Sequence, residues 1–505
     1  MGSIWDVIVV GGGNAALCAA LSAREAGAST LVLERAPVEE SGGNSRFSAG
    51  AMRFAFCGIE DIRRLVPDMS DAEAASYDFG SYDEDAFYGD MLRLTNYRTD
   101  PELADTLVTR SAGTMAWLRG KGVRFVPNGR QAFEAGGTMK FWGGLVLDAW
   151  GGGPGLVDAL YAAAERDGVT IWYRARALDL VRDDTSVKGV LVRHEGKVNE
   201  LKARAVVLAC GGFEANSEMR ARYLGPGWDV AKVRGTRFNT GDGIRMGLEV
   251  DAMSWGEWSG GHAVFWDQNA PHFGDLAVGD GFSKLSYPLG IVVNARGERF
   301  VDEGADFRNY TYARYGREVL KQPGGFAWQV FDAKVLHLLR DEYRIKQVTR
   351  VQSDTLAGLA AKMEGVDVDR FVATVSAFNE SVRQEIPFRP AVLDGRGTRG
   401  VEPPKSNWAD TVDTPPFVAF AVTCGITFTF GGLRIEADSA QVLDSESEPI
   451  AGLYAAGELV GGLFYDNYPG GSGLTAGSVF GRIAGAAAAK RARGRALAAE
   501  PRESE

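Results

Sequence analysis

Cysteine and histidine are scarce in this sequence and scattered along it. Its 505 residues include four of each. The cysteines Cys18, Cys57, Cys210 and Cys424 form no Cys-x-x-Cys pair and have no histidine nearby. This spacing disfavours a metal site, a haem attachment motif and a disulfide framework, and it favours a reducing compartment.

Long hydrophobic runs and an excess of basic residues are also missing. No apolar stretch approaches the roughly 18 residues that a membrane-spanning helix needs, and residues 1–6 lack the basic-then-apolar pattern of a secretory signal. Lysine and arginine total 55 against 66 for aspartate and glutamate, which gives a net charge of −11. Such a balance disfavours nucleic acid as a partner. We therefore expect a cytoplasmic protein.

Glycine, in contrast, is abundant at 65 residues and is clustered. Residues 5–10 are an apolar, β-branched run typical of a buried parallel strand. The glycine-rich segment 11–16 (GGGNAA) follows, then an Ala/Leu-rich segment typical of a helix, and then a second apolar run that ends at Glu34. This order of strand, glycine turn, helix, strand and acid is typical of a dinucleotide-binding βαβ unit.

The residue types at each position of this unit suit the binding of a dinucleotide. Gly11 permits the tight turn, Gly13 lets the backbone approach a pyrophosphate, and the small Ala16 lets the helix pack on the strand. The helix N-terminus then faces the phosphate charge, and the acid accepts hydrogen bonds from ribose hydroxyls. The predicted ligands of this unit are Gly11, Gly13, Asn14, Ala15, Ala16, Glu34 and Arg35.

This motif alone does not separate NAD from FAD. A second glycine-rich loop at residues 41–50 (SGGNSRFSAG) suits a longer cofactor whose far end is a flavin. Four later segments complete a pattern: 209–216 (ACGGFEAN), 240–244 (TGDGI), 450–458 (IAGLYAAGE) and 469–475 (PGGSGLT). In this order they resemble the fumarate reductase/succinate dehydrogenase flavoprotein superfamily, over about residues 4–60 and 200–490.

The resemblance implies an α/β fold with FAD as cofactor. The expected architecture is a Rossmann-like doubly wound FAD-binding domain with an inserted α+β capping domain. The expected boundaries are 1–250 and 401–490 for the FAD-binding domain, 251–400 for the capping domain and 491–505 for a tail. Residues 60–150 have no functional interpretation. The further cofactor residues that it implies are Gly43, Asn44, Ser45, Ala49, Gly50, Ala177, Ala209, Gly211, Thr240, Asp242, Glu458, Ser472 and Leu474.

A flavin that dehydrogenates an acid needs a base for one carbon-bound proton and groups that hold the carboxylates. Residues 291–308 resemble the superfamily stretch that carries a proton-shuttling arginine, which makes Arg308 the catalytic candidate. Substrate clamping and a structural ion pair remain alternatives for it. His262 occupies a position where the superfamily often has a substrate-side histidine. His194 and His337 are interpreted as structural.

Departures from fumarate reductase narrow the expected substrate. The HHTMGG segment of that enzyme corresponds to residues 427–432 (TFTFGG), which contain no histidine, and its carboxylate-clamping arginine corresponds to Tyr468. The surroundings of Asn44 lack the histidine that succinate dehydrogenases use for covalent flavin. We therefore expect noncovalent FAD and a substrate other than fumarate or succinate.

Residues 225–228, 234–243, 302–313, 427–432 and 464–474 together resemble the FAD-dependent tricarballylate dehydrogenases. That resemblance implies oxidation of propane-1,2,3-tricarboxylate to cis-aconitate, with electrons passed to a separate membrane redox protein. Arg308 would take the proton, while Tyr468 and His262 would orient the acid. Asp466 would repel such a trianion. The arginines available to bind its carboxylates are Arg308, Arg237, Arg46, Arg53 and Arg314.

Three other interpretations remain open. Residues 468–471 (YPGG) also resemble an element of the ketosteroid dehydrogenases, where tyrosines polarise a ketone. For such a ligand Phe265, Trp266, Tyr287, Tyr310 and Tyr312 would line an apolar pocket, or they would simply fill the core. A flavoprotein subunit that docks an electron-transfer partner is the second interpretation, and a reductase running in the opposite direction is the third.

Overall fold

The computed structural model describes residues 4–499, which form an α/β molecule built on two large sheets. The helices are Asn14–Glu25 (α1), Ile59–Leu65 (α2), Asp71–Ser76 (α3), Glu84–Leu94 (α4), Pro101–Gly120 (α5), Gly152–Arg166 (α6), Ser217–Tyr223 (α7), Asp242–Glu249 (α8), Arg308–Leu320 (α9), Leu356–Ala360 (α10), Val368–Ser381 (α11) and Ser472–Ala499 (α12). The strands are Trp5–Val10 (β1), Thr30–Leu33 (β2), Ala51–Met52 (β3), Tyr77–Asp78 (β4), Phe125–Pro127 (β5), Ala132–Ala135 (β6), Thr138–Phe141 (β7), Leu147–Ala149 (β8), Thr170–Trp172 (β9), Arg176–Arg182 (β10), Val187–His194 (β11), Lys197–Leu208 (β12), Lys232–Val233 (β13), Ser254–Asp267 (β14), Ile291–Val293 (β15), Ala327–Phe331 (β16), Arg350–Ser353 (β17), Phe417–Leu433 (β18), Gln441–Leu443 (β19) and Pro449–Ala455 (β20).

The first sheet has eight strands and contains the predicted βαβ unit. Its main path runs β10-β11-β12-β1-β2-β9, and β20 pairs with β12 and β19. β1 lies parallel to both β2 and β12, and its residues Val7, Ile8 and Val9 are fully buried. A parallel pair needs a crossover, which α1 supplies. The doubly wound architecture expected from the sequence is confirmed.

Helix α12 packs along α1, so the N-termini of both helices reach the same region. The packing is close because Gly481 and Gly485 of α12 face the backbone of α1. A Cβ atom at these positions would lie 2.3 Å from the carbonyl oxygen of Ala15 and 2.0 Å from that of Ala19. Residues 491–499 of the predicted tail continue this helix, and residues 500–505 lie outside the described residues.

The second sheet has six strands and is mainly antiparallel. Its path runs β13-β18-β16-β15, and both β14 and β17 also pair with β18. Helix α11 packs on it through its apolar residues Phe371, Val375 and Phe378. Strand β18 belongs to this sheet although it follows residue 400, where we expected the capping domain to end. The 17-residue β18 is long enough to continue from this sheet toward the first.

Residues 60–150, for which the sequence suggests no role, form nearly all of helices α2–α5 and of two small three-stranded sheets, one of which also includes β3. The turn between β5 and β6 in this segment contains Asn128, Arg130 and Gln131, and all three residues line the main cleft of the molecule. This segment therefore contributes to the site described below.

Among residues 4–499, no helix is both long enough and apolar enough to cross a bilayer. The same residues contain no group of three or more histidine, cysteine, aspartate or glutamate side chains placed to hold a metal ion.

Candidate active site

A deep cleft lies between the first sheet and the second, with a volume of about 2060 Å³ counting the part that is open to solvent. One end is formed by the glycine turn after β1, and the other by residues of the second sheet and of the turn between β5 and β6. Most of the predicted cofactor residues line it: Gly11, Gly13, Asn14, Ala15, Glu34, Arg35, Gly43, Asn44, Ser45, Ala49, Gly50, Ala177, Ala209, Gly211, Asp242, Glu458 and Leu474.

Three predicted cofactor residues do not line the cleft. Ala16 is fully buried in the packing of α1. Thr240 accepts a hydrogen bond from Nη1 of Arg35 at 2.6 Å, and Ser472 donates one to the carbonyl oxygen of Pro469 at 2.6 Å. In this arrangement Thr240 and Ser472 hold the backbone turns that border the cleft.

The glycine turn brings the start of α1 to the cleft. Gly11 has φ +114°, and a Cβ atom there would lie 2.3 Å from the carbonyl oxygen of Ala209. Helix α1 begins after Gly13 with no side-chain cap and no acidic residue in its first turn. An uncapped helix N-terminus that lines a cleft presents backbone N–H groups suited to a pyrophosphate.

Glu34 lies beside this turn at the end of β2. Its Oε1 accepts a hydrogen bond from the backbone N–H of Ala36 at 2.7 Å, and burial raises the pKa of Glu34 to about 7. A Cβ atom at Gly12 would come within 2.2 Å of Oε2, so only glycine leaves room for this carboxyl. Its position suits hydrogen bonding to ribose hydroxyls.

Asp242 is held by two arginines at the same end of the cleft. Arg35 donates from Nη1 to Oδ2 of Asp242 at 3.1 Å, and Arg176 donates from Nε to the same oxygen at 3.0 Å. Arg176 begins β10 and also lines the cleft, although only its neighbour Ala177 was predicted from the sequence.

A buried carboxyl, Glu214, links several of the predicted segments. Its Oε1 accepts hydrogen bonds from Nδ2 of Asn44 and Nδ2 of Asn239, each at 2.6 Å. Burial and the neighbouring Glu458 raise the pKa of Glu214 well above its usual range, which favours its protonated, neutral form. Glu458 in turn accepts a hydrogen bond from the backbone N–H of Thr429 at 2.9 Å. Glu214 lies in a segment that resembles the family, residues 209–216, but no local pattern pointed to a role for it.

The start of α12 forms another wall of the cleft. Gly471, Gly473 and Leu474 line it, and the first turn of the helix contains no acidic residue. A second helix N-terminus therefore meets the same cleft as α1. Such a positive dipole end suits an electron-rich ring edge or an anion.

Four arginines line the far end of the cleft, and only Arg308 was predicted from the sequence to bind substrate. They are Arg130, Arg234, Arg308 and Arg340. Arg130 pairs with Asp148 at 2.8 Å and Arg234 with Asp280 at 2.7 Å. Arg340 pairs with Glu342 at 2.7 Å.

The other arginines of the predicted pool are engaged elsewhere. Arg53 is fully buried and donates to the carbonyl oxygens of Gly470 and Gly143. The remaining three form ion pairs and do not themselves line the cleft, namely Arg46 with Asp158, Arg237 with Glu40 and Arg314 with Asp466.

Arg308 begins α9 and is 7% exposed. Its Nη2 donates to the carbonyl oxygen of Arg130 at 2.8 Å and to Oε1 of Gln131 at 3.1 Å. No carboxylate of the described residues forms an ion pair with it. Burial and the charge of Arg340 lower the pKa of Arg308 to about 9. A guanidinium in this state can release or accept a proton far more readily than an exposed one.

Tyr468 and Tyr312 line the cleft beside Arg234, and their hydroxyl groups hydrogen-bond to each other. His262 lies behind them. It is fully buried, stacks on Phe428 with ring centroids 5.2 Å apart, and neither ring nitrogen has a hydrogen-bond partner in the described structure. Burial and the nearby charge of Arg234 lower the pKa of His262 well below its usual range. The ring is therefore neutral and separated from the cleft by other side chains.

The repulsion expected from Asp466 is absent from this arrangement. The carboxylate forms ion pairs with Arg317 and, at 3.5 Å, with Arg314, both on α9, and it does not line the cleft. Burial alone would raise the pKa of Asp466, but the hydrogen bond and charge of Arg317 hold it below its usual range. The neighbour of Tyr468 in the sequence thus points to a different part of the molecule.

Most of the aromatic residues considered for an apolar pocket fill the core instead. Phe265, Trp266 and Tyr287 are buried in a cluster on the second sheet. Tyr310 donates a hydrogen bond to Asp90 at 2.7 Å on the far side of α9. Only Tyr312 of that group lines the cleft.

Residues 6–474 match the family model described as the FAD binding domain. A probable fumarate reductase of Shewanella frigidimarina is 32% identical over 96% of this chain and 75% of the relative. A 3-oxosteroid 1-dehydrogenase of Mycobacterium tuberculosis is 28% identical over 93% of this chain and 95% of the relative.

A solved structure of a fumarate reductase has a similar fold. The open conformation of a flavocytochrome c3 fumarate reductase superposes with a TM-score of 0.72 at 29% identity, covering 97% of this chain and 79% of that one. The uncapped start of α1, the space kept by Gly12 beside Glu34 and the buried Glu214–Glu458 pair all fit a bound FAD.

Proposed function

The chain belongs to the FAD binding domain family within the fumarate reductase/succinate dehydrogenase flavoproteins, and we propose that its substrate is a polycarboxylate, with tricarballylate as the best candidate. It is an FAD-dependent oxidoreductase that acts on CH–CH bonds. The proposed reaction removes two hydrogens from tricarballylate and gives cis-aconitate.

The observation that carries this proposal is the set of four arginines at one end of the cleft. Three of them are each balanced by one carboxylate, Asp148, Asp280 or Glu342, while Arg308 has no such partner among the described residues. This end of the cleft therefore keeps an excess of positive charge although the chain as a whole carries −11. A ligand with several carboxylates matches it.

In the proposed mechanism, bound FAD supplies the hydride acceptor for oxidation of the CH–CH bond. Arg308 in its neutral form takes the proton from the adjacent carbon, and a C=C bond forms as both hydrogens leave. Arg234 and Tyr468 hold the carboxylate on the other side of the reacting bond. His262, which lies behind the cleft wall, supports Tyr312 and Tyr468 by ring packing.

The low pKa of Arg308 supports its role as the base. At a pKa of about 9, about 1% of the side chain is neutral at pH 7, against a negligible fraction for an ordinary guanidinium. The charged majority still attracts the carboxylates. After each turnover Arg308 can lose its proton to water in the open part of the cleft. The same side chain can therefore attract carboxylates when charged and accept a proton when neutral.

Three further features remain proposals. We propose that FAD is bound noncovalently, which the lack of histidine among the described cleft residues supports. We also propose that the electrons pass to a separate membrane redox protein. A cytoplasmic location, finally, stays a prediction from the sequence.

A steroid substrate is the second candidate. The hydrogen-bonded pair Tyr312–Tyr468 favours it, because paired tyrosines can polarise a ketone, and a relative is named a 3-oxosteroid 1-dehydrogenase. The four arginines at the same end of the cleft disfavour it, since an apolar ligand would leave the buried Arg308 without a negatively charged partner.

Turnover with an artificial electron acceptor tests this choice. The FAD-loaded protein is assayed with phenazine methosulfate and a redox dye against tricarballylate, succinate and a 3-ketosteroid. We expect tricarballylate to give the highest kcat/KM. Turnover of the steroid, with none for either acid, would replace the proposal by its rival.

A further inference from the structure

Two guanidinium groups meet at the backbone carbonyl oxygen of a third arginine, Arg130. Nη2 of Arg308 lies 2.8 Å from the carbonyl oxygen of Arg130, and Nη1 of Arg340 lies 3.0 Å from the same atom. The side chain of Arg130 lines the cleft beside this oxygen. The three residues come from the turn between β5 and β6, the start of α9 and the loop before residue 341, so only the folded chain assembles them.

The local ion pairs leave donors unused. Arg340 donates through Nε to Glu342 and through Nη1 to the shared oxygen, and its Nη2 has no hydrogen-bond partner among the described residues. Arg130 donates to Asp148 and to the carbonyl oxygen of Ala49 from Nη2 alone. A guanidinium offers five N–H groups, so each of these side chains can still bind a carboxylate oxygen.

Crowding of like charges supports an anionic ligand at this point. The guanidinium of Arg340 lies close to that of Arg308, and the carboxylates of Glu342 and Asp148 balance only Arg340 and Arg130. A bound carboxylate would relieve the remaining repulsion and would accept charge-assisted hydrogen bonds.

This cluster is distinct from the other cationic group of the cleft. Arg234 is held by Asp280 at 2.7 Å and by Thr427 at 3.1 Å, beside Tyr312 and Tyr468. Arg308 has no hydrogen bond to either Arg234 or its partners among the described residues. A substrate that reaches from Arg234 past Arg308 would place a further carboxylate at Arg340 and Arg130.

We propose that Arg130 and Arg340 form a subsite for the third carboxylate of the substrate, and that they set the preference for tricarboxylates over dicarboxylates. The inference rests on the proposed function for the identity of the substrate. The presence of a carboxylate-binding site at this end of the cleft can be tested by ligand binding alone, without turnover.

The competing explanation is that Arg340 only neutralises the buried Glu342. Removing Arg340 would then leave an unpaired carboxylate that repels any anion, and affinity would fall without direct contact. The double variant Arg340→Gln/Glu342→Gln separates the two explanations, because it removes both charges together. A neutralising role predicts that the double variant recovers affinity, and a binding role predicts that it does not.

The experiment measures binding to the FAD-loaded protein by isothermal titration calorimetry. Citrate serves as the tricarboxylate probe, because its central carbon carries no hydrogen and the proposed reaction cannot consume it. Succinate serves as the dicarboxylate. Arg344→Gln is the matched control, since Arg344 lies in the same segment but is exposed and pairs only with Asp341 at 3.0 Å.

We expect Arg340→Gln to weaken citrate binding on the order of 30-fold or more, the usual effect of removing one partner of a hydrogen-bonded charge pair. The double variant should show a similar loss, and succinate binding should change less than about threefold. Arg344→Gln should bind both ligands as the unchanged protein does. Arg340→Lys, which keeps the charge but not the planar donors, should lie between.

Equal citrate affinity in Arg340→Gln and the unchanged protein would overturn the inference, as would recovery of affinity in the double variant or a lack of citrate binding to the unchanged protein. These outcomes do not depend on catalysis. Arg340-dependent citrate binding without tricarballylate oxidation would support the subsite and refute the proposed function. Tricarballylate oxidation that is unaffected by Arg340→Gln would support the proposed function and refute the subsite.

Discussion

Arg308 shows how a single side chain acquires its chemistry from its neighbours. The guanidinium is buried at the start of α9, it lies near Arg340, and its hydrogen bonds go to neutral oxygens of Arg130 and Gln131. Burial and Arg340 act together to lower its pKa to about 9, although Glu342 and two tyrosines oppose the shift. None of these neighbours is adjacent to Arg308 in the sequence.

The pH dependence of catalysis tests the role of Arg308. Because the base must be neutral to accept a proton, kcat/KM for tricarballylate should rise from pH 7, reach half of its maximum near pH 9, the pKa of Arg308 in the free protein, and level off above it. Steady-state rates between pH 6.5 and 10 measure this. A profile that is flat over this range would contradict the assignment.

Substitution of Arg308 provides a second test of the same residue. Arg308→Gln keeps a polar side chain but removes the base, so kcat should fall by about 10²-fold or more. FAD content, read from the visible spectrum, should not change, since Arg308 lies at the end of the cleft away from the glycine turn. Retention of more than a tenth of the rate would assign the proton to another group.

Glu214 affects the pH dependence of folding stability, because burial favours its protonated form. It is fully exposed to water when the chain is unfolded and fully buried when it is folded, and burial together with Glu458 raises its pKa well above the usual range. The stability that this proton contributes is therefore complete below the pKa of the unfolded state, near 4.5, and is lost as the pH rises through the folded value.

Glu214→Gln tests this linkage. The amide is a neutral near-isostere of the protonated acid and does not ionise, so the melting temperature of the variant relative to the unchanged protein should increase from pH 6 to pH 9. Differential scanning calorimetry on both proteins gives the comparison. Parallel curves over this range would mean that Glu214 is ionised in the folded protein.

At the scale of elements, the unit formed by β1, the glycine turn and α1 was the most predictable part of the molecule. The bounds of β1 and β2 agree with the apolar runs 5–10 and 30–33, because a buried parallel strand requires continuous apolar residues. The glycine positions follow from close backbone contacts. Local sequence determines these features, so local sequence predicts them.

Gly11→Ala tests this unit. The added Cβ would lie 2.3 Å from the carbonyl oxygen of Ala209 on a backbone with φ +114°, so the turn must shift and FAD binding should fall by at least tenfold. Gly113→Ala in α5 is the control, because nothing lies within 4 Å of its added Cβ. Unchanged FAD content in Gly11→Ala would show that the turn does not hold the cofactor.

The arginine end of the cleft was far less predictable, and the reason is the spacing of its residues. Arg130, Arg234, Arg308 and Arg340 belong to four separate segments, and Arg130 lies in a stretch without any functional motif. A resemblance to a known family could identify Arg308, whose surroundings match a motif. It could not identify side chains that meet only through tertiary packing. Of the other three arginines, only Arg234 lies in a segment that resembles the family, residues 234–243.

The same limit explains the prediction about Asp466. The sequence resemblance placed Tyr468 at the substrate, and Asp466 lies two positions before it. The carboxylate of Asp466 was therefore expected to face the substrate as well. A residue with φ +59° at position 466 turns its side chain toward α9, where Arg314 and Arg317 bind it. Adjacency in sequence does not fix the direction of a side chain in an irregular loop.

At the scale of the whole molecule, the two sheets contribute different chemistry to one cleft. The first sheet and α1 supply the helix N-terminus and the acid that suit a dinucleotide. The loops and helix around the second sheet supply Arg234, Arg308, Arg340 and Tyr312, and the loop before α12 supplies Tyr468. Glu214 connects the two through Asn44 and Glu458, since Asn44 also donates to the carbonyl oxygen of Thr427 on β18 at 2.7 Å. The proposed oxidation requires both parts to be in place.

The central claim is that the FAD-loaded protein removes two hydrogens from tricarballylate. The most direct test is to add tricarballylate to the purified protein without oxygen and to follow the visible absorbance band of the flavin. We predict that the band bleaches with tricarballylate and that cis-aconitate appears in equal amount. Succinate and a 3-ketosteroid should leave it unchanged. A band that persists with tricarballylate but bleaches with the steroid would contradict the account.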